Sequence, residues 1–432
     1  MAAVPVHKTG ALATGPAATG TQWLSYHGDP ARTGYVAGLP AAGKLAVAWA
    51  ARLDGAVYGE PLVVGTVVVA ATEADSVYGL ERGTGRVLWH RIVGAPEPGS
   101  ELGCGDITPL GITSTPVFDP RTGLVYVLAQ DEATGHVLVG LDPATGTVRY
   151  RRTVPSPDGH PAADQQRGAL AAGFGRIYVT FGGHAGDCGP YVGSVVAMPD
   201  RGSGPVVGYK VPTARQAGIW APGGPVIFGG KILVSVGNGT TRGPFDRSDS
   251  VTELTPGLSV SGYFAPASWL ADNRGDLDLG SMTPALVGGD RILIVGKSGM
   301  GYLLRVGRLG GVGGELASRA ICGAFGGAAV TGTTVFVPCA GGGTAAVGVG
   351  ADRLTVLWRG PAGANGSPVA GGGAIWVTSY PAGQLYELNP ATGAIRYQIG
   401  LGARLPHFSS PVLSGPLVLV GTLDGLVAID GA

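Results

Sequence analysis

Val139-Gly-Leu-Asp-Pro-Ala-Thr-Gly-Thr-Val-Arg-Tyr150 reads as an apolar strand, a tight turn and a second strand carrying an aromatic residue. The Thr-Gly pair suits a hairpin in which glycine takes a positive φ. The unit recurs as Val77-Tyr-Gly-Leu-Glu-Arg-Gly-Thr-Gly-Arg-Val-Leu-Trp89 and as Leu385-Tyr-Glu-Leu-Asn-Pro-Ala-Thr-Gly-Ala-Ile-Arg-Tyr397. Weaker copies run from Val195 to Tyr209, Val251 to Phe264, Tyr302 to Leu316 and Ala345 to Trp358, and a half-copy, Leu426-Val-Ala-Ile-Asp430, lies at the end. Each is preceded by a small residue, often with Pro, and an apolar pair, as in Ser114-Thr-Pro-Val117, Thr283-Pro-Ala-Leu-Val287 and Ser410-Pro-Val-Leu413.

Together these elements make a four-stranded antiparallel unit of about 40 to 60 residues, repeated eight times. One such sheet cannot bury both its faces, so the units stack radially. The expected fold is all-β: an eight-bladed β-propeller of four-stranded antiparallel blades. The chain stops before the aromatic strand of its last unit, whereas Leu45-Ala-Val-Ala-Trp-Ala-Ala-Arg-Leu53 is an aromatic strand with no turn before it. The N-terminal strand is therefore expected to complete the last blade. One propeller domain over residues 22–432 follows, with residues 1–21 as a disordered lead-in.

Composition agrees. Of 432 residues, 79 are Gly and 32 Pro, interleaved with Val/Ile/Leu runs, as many short strands and tight turns require. Charged residues are only 13%, and 29 basic residues balance 29 acidic ones without a Lys/Arg block. Nucleic acid is a poor partner for such a surface. No apolar run approaches the roughly 18 residues of a membrane span. The first twenty residues lack the apolar core of a signal peptide. None of the four cysteines, Cys104, Cys188, Cys322 and Cys339, sits in a CxxC pair. An even count in a glycine-rich strand protein points to two disulfides and an extracytoplasmic, secreted or cell-envelope home; four free thiols are the alternative. Cys322 and Cys339 flank one hairpin, leaving Cys104 with Cys188.

The repeats resemble those of pyrroloquinoline-quinone (PQQ) dehydrogenase-like propellers, whose blades carry an Asp-x-x-Thr-Gly-x-x-x-Trp docking motif. Trp23-Leu-Ser-Tyr-His-Gly-Asp-Pro-Ala-Arg-Thr-Gly34 is similar to the entry segment common in that group. The resemblance implies PQQ stacked on a tryptophan in the axial funnel, a Ca²⁺ ion held by Glu and Asn, and an Asp acting as base. Ile219-Trp220-Ala221 matches the tryptophan floor, Gly237-Asn238 the metal-binding amide, and Gly275-Asp276-Leu277-Asp278 the family's Trp-Asp-Tyr-Asp element, with Asp276 at the base position. Three features depart from the pattern. Asp164-Gln165-Gln166-Arg167 stands where the metal-binding Glu is expected, no adjacent Cys-Cys pair exists, and Gly275 replaces the Trp.

In a propeller, residues just before each inner strand line the funnel. Here they mix polar groups with aromatic platforms, among them Gln165, Arg167, Trp220, Phe325, His407 and Phe408. The candidate cofactor contacts are Trp220, Gln165, Arg167 and His407, and the candidate catalytic residue is Asp276. Asp276 and Asp278, two apart, share a face of an extended segment and suit a shared cation or proton, so Asn238, Asp276 and Asp278 are the candidate metal ligands. Three readings stand open. The chain is a monomeric quinone-dependent oxidoreductase acting on an alcohol or sugar, a non-catalytic propeller binding a protein partner or small ligand, or an enzyme that reuses the funnel without a cofactor.

Overall fold

The computed structural model describes residues 21–41, 43–99, 103–157 and 159–431. The lead-in expected over 1–21 lies, apart from Thr21, outside the described residues. Eight sheets stand around one axis, built on the inner strands Leu62–Val64, Val117–Asp119, Ala171–Gly173, Val226–Phe228, Ala285–Val287, Ala329–Thr331, Val369–Gly371 and Val412–Ser414, in blades 1 to 8. Every inner strand is three residues long. Crowding at the axis shortens them, whereas the second strands, such as Lys231–Val236 in blade 4, have room outside. The N-terminal strand Ala46–Arg52 pairs antiparallel with Gly425–Asp430, making it the outermost strand of blade 8 and closing the ring. Two additions had no signal in the repeats: Tyr35–Val36 joins the inner edge of blade 7 in parallel, and Gly311–Val312 extends blade 4.

The cores lie between blades. Val117, Tyr126 and Leu138 of blade 2, for example, pack on Ile177, Val179 and Val196 of blade 3. The repeat owes its glycine and its aromatic to this stacking. Trp89, on the outer strand of blade 1, lies over Gly146 of blade 2's turn and donates its Nε1–H to Pro143 O at 3.0 Å. Trp49 meets Gly85 and Arg82 O in the same way, and Trp358 meets Gly393 and Pro390 O. Each pair joins one blade's outer strand to the next blade's turn.

The segment from Thr21 to Gly34 seals the axis. Ser414 Oγ of blade 8 donates to Thr21 O, Trp23 pairs with Val63 of blade 1, and Phe118 N–H of blade 2 donates to Leu24 O. Arg32 Nη2 donates at 2.8 Å to Leu170 O, ahead of blade 3's inner strand. Ile227, Val330 and Ala370, on the inner strands of blades 4, 6 and 7, donate backbone N–H groups to Pro30, Thr33 and Gly34. One short segment bonded to seven blades must cross the centre. It satisfies inner-strand backbone groups that would otherwise face an open channel. Trp23, Tyr26, His27 and Arg32 are buried within it.

Candidate functional site

Beyond the plug, where the chain enters the inner strands, the axis opens into a cavity of about 270 Å³. That is just below the roughly 300–1,000 Å³ typical of ligand pockets. Gln165 and Arg167 approach it ahead of blade 3, Trp220 ahead of blade 4, Phe325 ahead of blade 6, and His407 and Phe408 ahead of blade 8. One wall comes from connections: Asp106 and Ile107 between blades 1 and 2, and residues 183–187 of blade 3. The Cys104–Cys188 disulfide joins those two connections. Cys322 and Cys339 form the second disulfide.

Trp220 rests on glycine backbone. A Cβ at Gly218, Gly237 or Gly182 would stand 2.0, 2.6 or 2.8 Å from the indole. These three bare positions let the ring lie close against the blade while the residue still lines the pocket. Across the cavity, Phe325 and Phe408 stack at 5.7 Å and 9° between planes. The Arg167 guanidinium lies 5.7 Å from both the Tyr58 and Phe408 rings and donates to His407 O at 3.2 Å. Burial pushes it down from its ordinary value, against the nearby Glu73 charge. His407 Nε2 stands 2.9 Å from Asp106 Oδ2. The hydrogen bond from His407 is the main influence holding the Asp106 carboxyl below its usual range.

The acidic stretch is organised by a residue the sequence reading passed over. Trp269–Gly275 is a seven-residue helix, and Asp276 ends it in the left-handed region at φ 52°, so Asp276 and Asp278 do not share a face of an extended segment as expected. Lys297 Nζ lies 2.7 Å from Asp276 Oδ1 and 2.9 Å from Asp278 Oδ2. Asp276 is 67% exposed at its side chain, Asp278 wholly buried. Burial raises Asp278, opposed by Lys297. Behind it, Asp249 accepts the Leu279 N–H at 2.8 Å, and burial, then the Asp278 charge, drives it well above the carboxylate range. Burial alone would lower Lys297, but the two aspartates outweigh it and raise it.

The structure thus brings Gln165, Arg167, Trp220, Asp276 and His407 to one cavity. Asn238 and Asp278 do not line it. Asn238 lies at the end of blade 4's second strand, and its Oδ1 is buried with no hydrogen-bond partner. Lys297 and Asp106, with His184 and Asp187, are among the pocket residues the sequence reading missed. Lys297 had a signal: Gly296-Lys297 follows blade 5's second strand as Gly237-Asn238 follows that of blade 4. Asp106 had none, since its place depends on a connector and a disulfide.

The donors fit a calcium ion poorly. Ca²⁺ takes six to eight oxygen ligands, but here an ammonium already bridges the two carboxylates, and Gln165 and Gln166 are neutral. Among the described residues no three His, Cys, Asp or Glu side chains are grouped to hold a metal ion. Trp220 offers a flat face in a pocket lined by Arg167 and Lys297 together with the carboxylates of Asp106, Asp187 and Asp276.

A family model described as "Outer membrane protein assembly factor BamB" (PQQ_2) matches residues 8–239, more than half of the chain. The polyvinylalcohol dehydrogenase of Sphingopyxis sp. (strain 113P3) is 26% identical over 246 residues, which span 51% of this chain and 34% of that protein. The chain therefore aligns with about a third of that relative's length. Quinohemoprotein alcohol dehydrogenase from Comamonas testosteroni superposes with a TM-score of 0.73 at 14% identity, over 95% of this chain and 80% of that one. BamB from Moraxella catarrhalis gives 0.62 at 14% identity, over 90% and 97%. At such identities the likeness to solved structures is one of fold.

Proposed function

The chain belongs to this family of PQQ-like β-propellers, and from that premise we propose that its axial pocket binds PQQ and that it oxidises an alcohol or sugar, with Asp276 as base. The observation that carries the reading is Trp220, an indole backed by three glycines at the wall of a pocket that also holds Arg167 and Lys297. PQQ is planar and carries three carboxylates, so the indole face would take its ring, while Arg167 would meet one of its charges; Lys297 and His407 already face carboxylates of the chain. Bound there, it would supply a two-electron acceptor.

The chain's own part is positioning and proton handling. The exposed Asp276 carboxylate faces the cavity, and Lys297 fixes its orientation through Oδ1. A substrate hydroxyl hydrogen-bonded to Asp276 passes its proton to that carboxylate. The plug closes the axis behind the inner strands. No step is assigned to Ca²⁺, because Lys297 holds the place between the carboxylates. Two disulfides support an extracytoplasmic location.

A second reading, a non-catalytic propeller holding a protein partner, is favoured by the neutral Gln165 and Gln166 at the carboxylate position and by the tied Asp276. Titration with PQQ separates the two. Quenching of tryptophan fluorescence at micromolar PQQ, lost in Trp220→Ala, together with dye reduction by alcohols or sugars, supports the oxidoreductase. Asp276→Asn should keep PQQ binding and lower kcat by about 100-fold or more. Absence of binding at micromolar PQQ sinks the reading.

A further inference from the structure

The eight outer strands of the ring, such as Ala46–Arg52 in blade 8 and Ile395–Gly400 in blade 7, hold nine Arg and Lys residues and no Asp or Glu. The whole chain balances 29 basic residues against 29 acidic ones, so the excess at the rim is one of placement. It is densest on blade 2, whose outer strand Val148–Thr153 carries Arg149, Arg151 and Arg152. That strand ends its sheet, and among the described residues nothing pairs with its far side.

We propose that this rim docks an extended acidic segment of a protein partner, added as a fifth strand along Val148–Thr153. The fold already accepts such additions. Gly311–Val312 lies in parallel along the outer strand of blade 4, and Tyr35–Val36 along the inner strand of blade 7. The open edge of blade 2 offers the same kind of unpaired N–H and C=O groups to another chain.

The charges select the occupant. Tyr150 points to blade 3, where its hydroxyl donates to Pro199 O, so Arg152 lies on that face and Arg151 on the opposite one. Their bonds agree. Arg152 Nη1 donates to Gly204 O of blade 3 at 2.9 Å, and Arg151 Nη1 to Val93 O, just past blade 1's outer strand, at 2.7 Å. Arg91 reaches across from blade 1 to Thr145 O. These bonds hold guanidinium groups at the seams on either side of the open edge, so little ordering is left for a partner to impose. Among the described residues none of these arginines makes an ion pair. Asp131 and Asp142, which flank the neighbouring strand Gly135–Leu141, accept from nearby backbone instead.

A strand laid along this edge projects side chains to both faces and meets a cation on each. Arginine facing arginine keeps a second copy of the same edge away. Carboxylates on an incoming strand turn the same charges into favourable cross-strand pairs. A lipid surface or a nucleic acid would meet the charges but has no peptide groups for the edge. The proposal stands on the rim alone, whether or not the axial pocket takes PQQ.

The test uses the full chain and a capped decapeptide of alternating Glu and Val, with the Lys-Val decapeptide and phosphatidylglycerol vesicles as controls. Hydrogen exchange should show the amides of Val148–Thr153 slowed about tenfold or more by the Glu-Val peptide. This measurement needs no substitution, so it stands even where a variant folds poorly. In titration calorimetry, Arg149→Ala, Arg151→Ala and Arg152→Ala combined should weaken its Kd about tenfold, as three exposed ion pairs allow, whereas Arg319→Ala on blade 5 should change it less than about twofold. No slowing at Val148–Thr153 overturns the proposal. So does an unchanged Kd in the combined variant, equal binding of the Lys-Val peptide, or capture by the vesicles without binding of the Glu-Val peptide.

Discussion

Replacing Gly146 by alanine tests how the blades are held together. The added Cβ would stand 2.4 Å from Trp89 Cε3 and 2.6 Å from Cδ2, too close for either ring or turn to stay in place. Gly146 also sits at φ 67°, where a side chain costs about 1–2 kcal/mol. Displacing the indole adds overpacking strain of about 1–3 kcal/mol. Losing the Trp89 Nε1–H bond to Pro143 O adds about 1 kcal/mol. The total is about 4 kcal/mol. Gly123 provides the control, because it has φ 72° but nothing within 4 Å of its would-be Cβ. Gly123→Ala therefore carries only the backbone part, and the two variants should differ by about 2–3 kcal/mol. Urea unfolding followed by fluorescence measures both. In a Trp89→Leu background the excess at Gly146 should vanish, since the clash is gone. Equal losses for the two glycines, or an excess that survives Trp89→Leu, would refute the docking account.

Lys297→Met leaves Asp278 buried without its counter-charge, a loss of about 3–5 kcal/mol at neutral pH. The loss should shrink on acidification, because burial already raises Asp278 and its protonated form needs no cation; a loss under about 1 kcal/mol that does not change with pH argues against the bridge. Glu60 accepts hydrogen bonds from Trp23 Nε1 and the His27 N–H in the plug, and burial raises it to about 7. Its folded pKa exceeds the unfolded value, so its contribution is full below that value and lost as pH rises through about 7. His27, lowered by burial to about 3, works oppositely and loses stability as pH falls below its ordinary 6.5. The two slopes oppose each other between pH 4.5 and 6.5, so thermal stability should be level there and fall on either side. In Glu60→Gln it should instead rise with pH over that interval; a level profile in the variant counts against it. Removing the Cys104–Cys188 disulfide should cost about 4.5 kcal/mol against about 3 for Cys322–Cys339, since the loops closed span 84 and 17 residues, and the reverse ranking would contradict the chain-entropy account.

The blades were legible because their docking is written locally: Gly146 must be bare under Trp89, and the two kinds of position recur in phase along the chain. Ring closure was legible from the two half-units at the termini. The plug was legible only as an entry segment. Its bonds reach seven blades, and no local pattern encodes contacts from Thr21 to Ser414 or from Arg32 to Leu170. The helix Trp269–Gly275 hid behind Asp272, Asn273 and Asp276, turn-forming residues that mask a run of seven.

The site divides along the same line. Residues that precede inner strands, such as Gln165, Trp220 and His407, fall in the pocket because propeller geometry sends every such position to the axis. Charge pairing follows no such rule. Two aspartates two residues apart specify that a positive charge is needed between them, yet say nothing of its source. A cation from solution and an ammonium from the next hairpin satisfy the same two carboxylates. Here Lys297 supplies the charge from the turn after blade 5's second strand. Because that ammonium is tethered, it also fixes the direction of Asp276, which a dissociable ion would do only while bound. Orientation of the candidate base is thereby built into the chain.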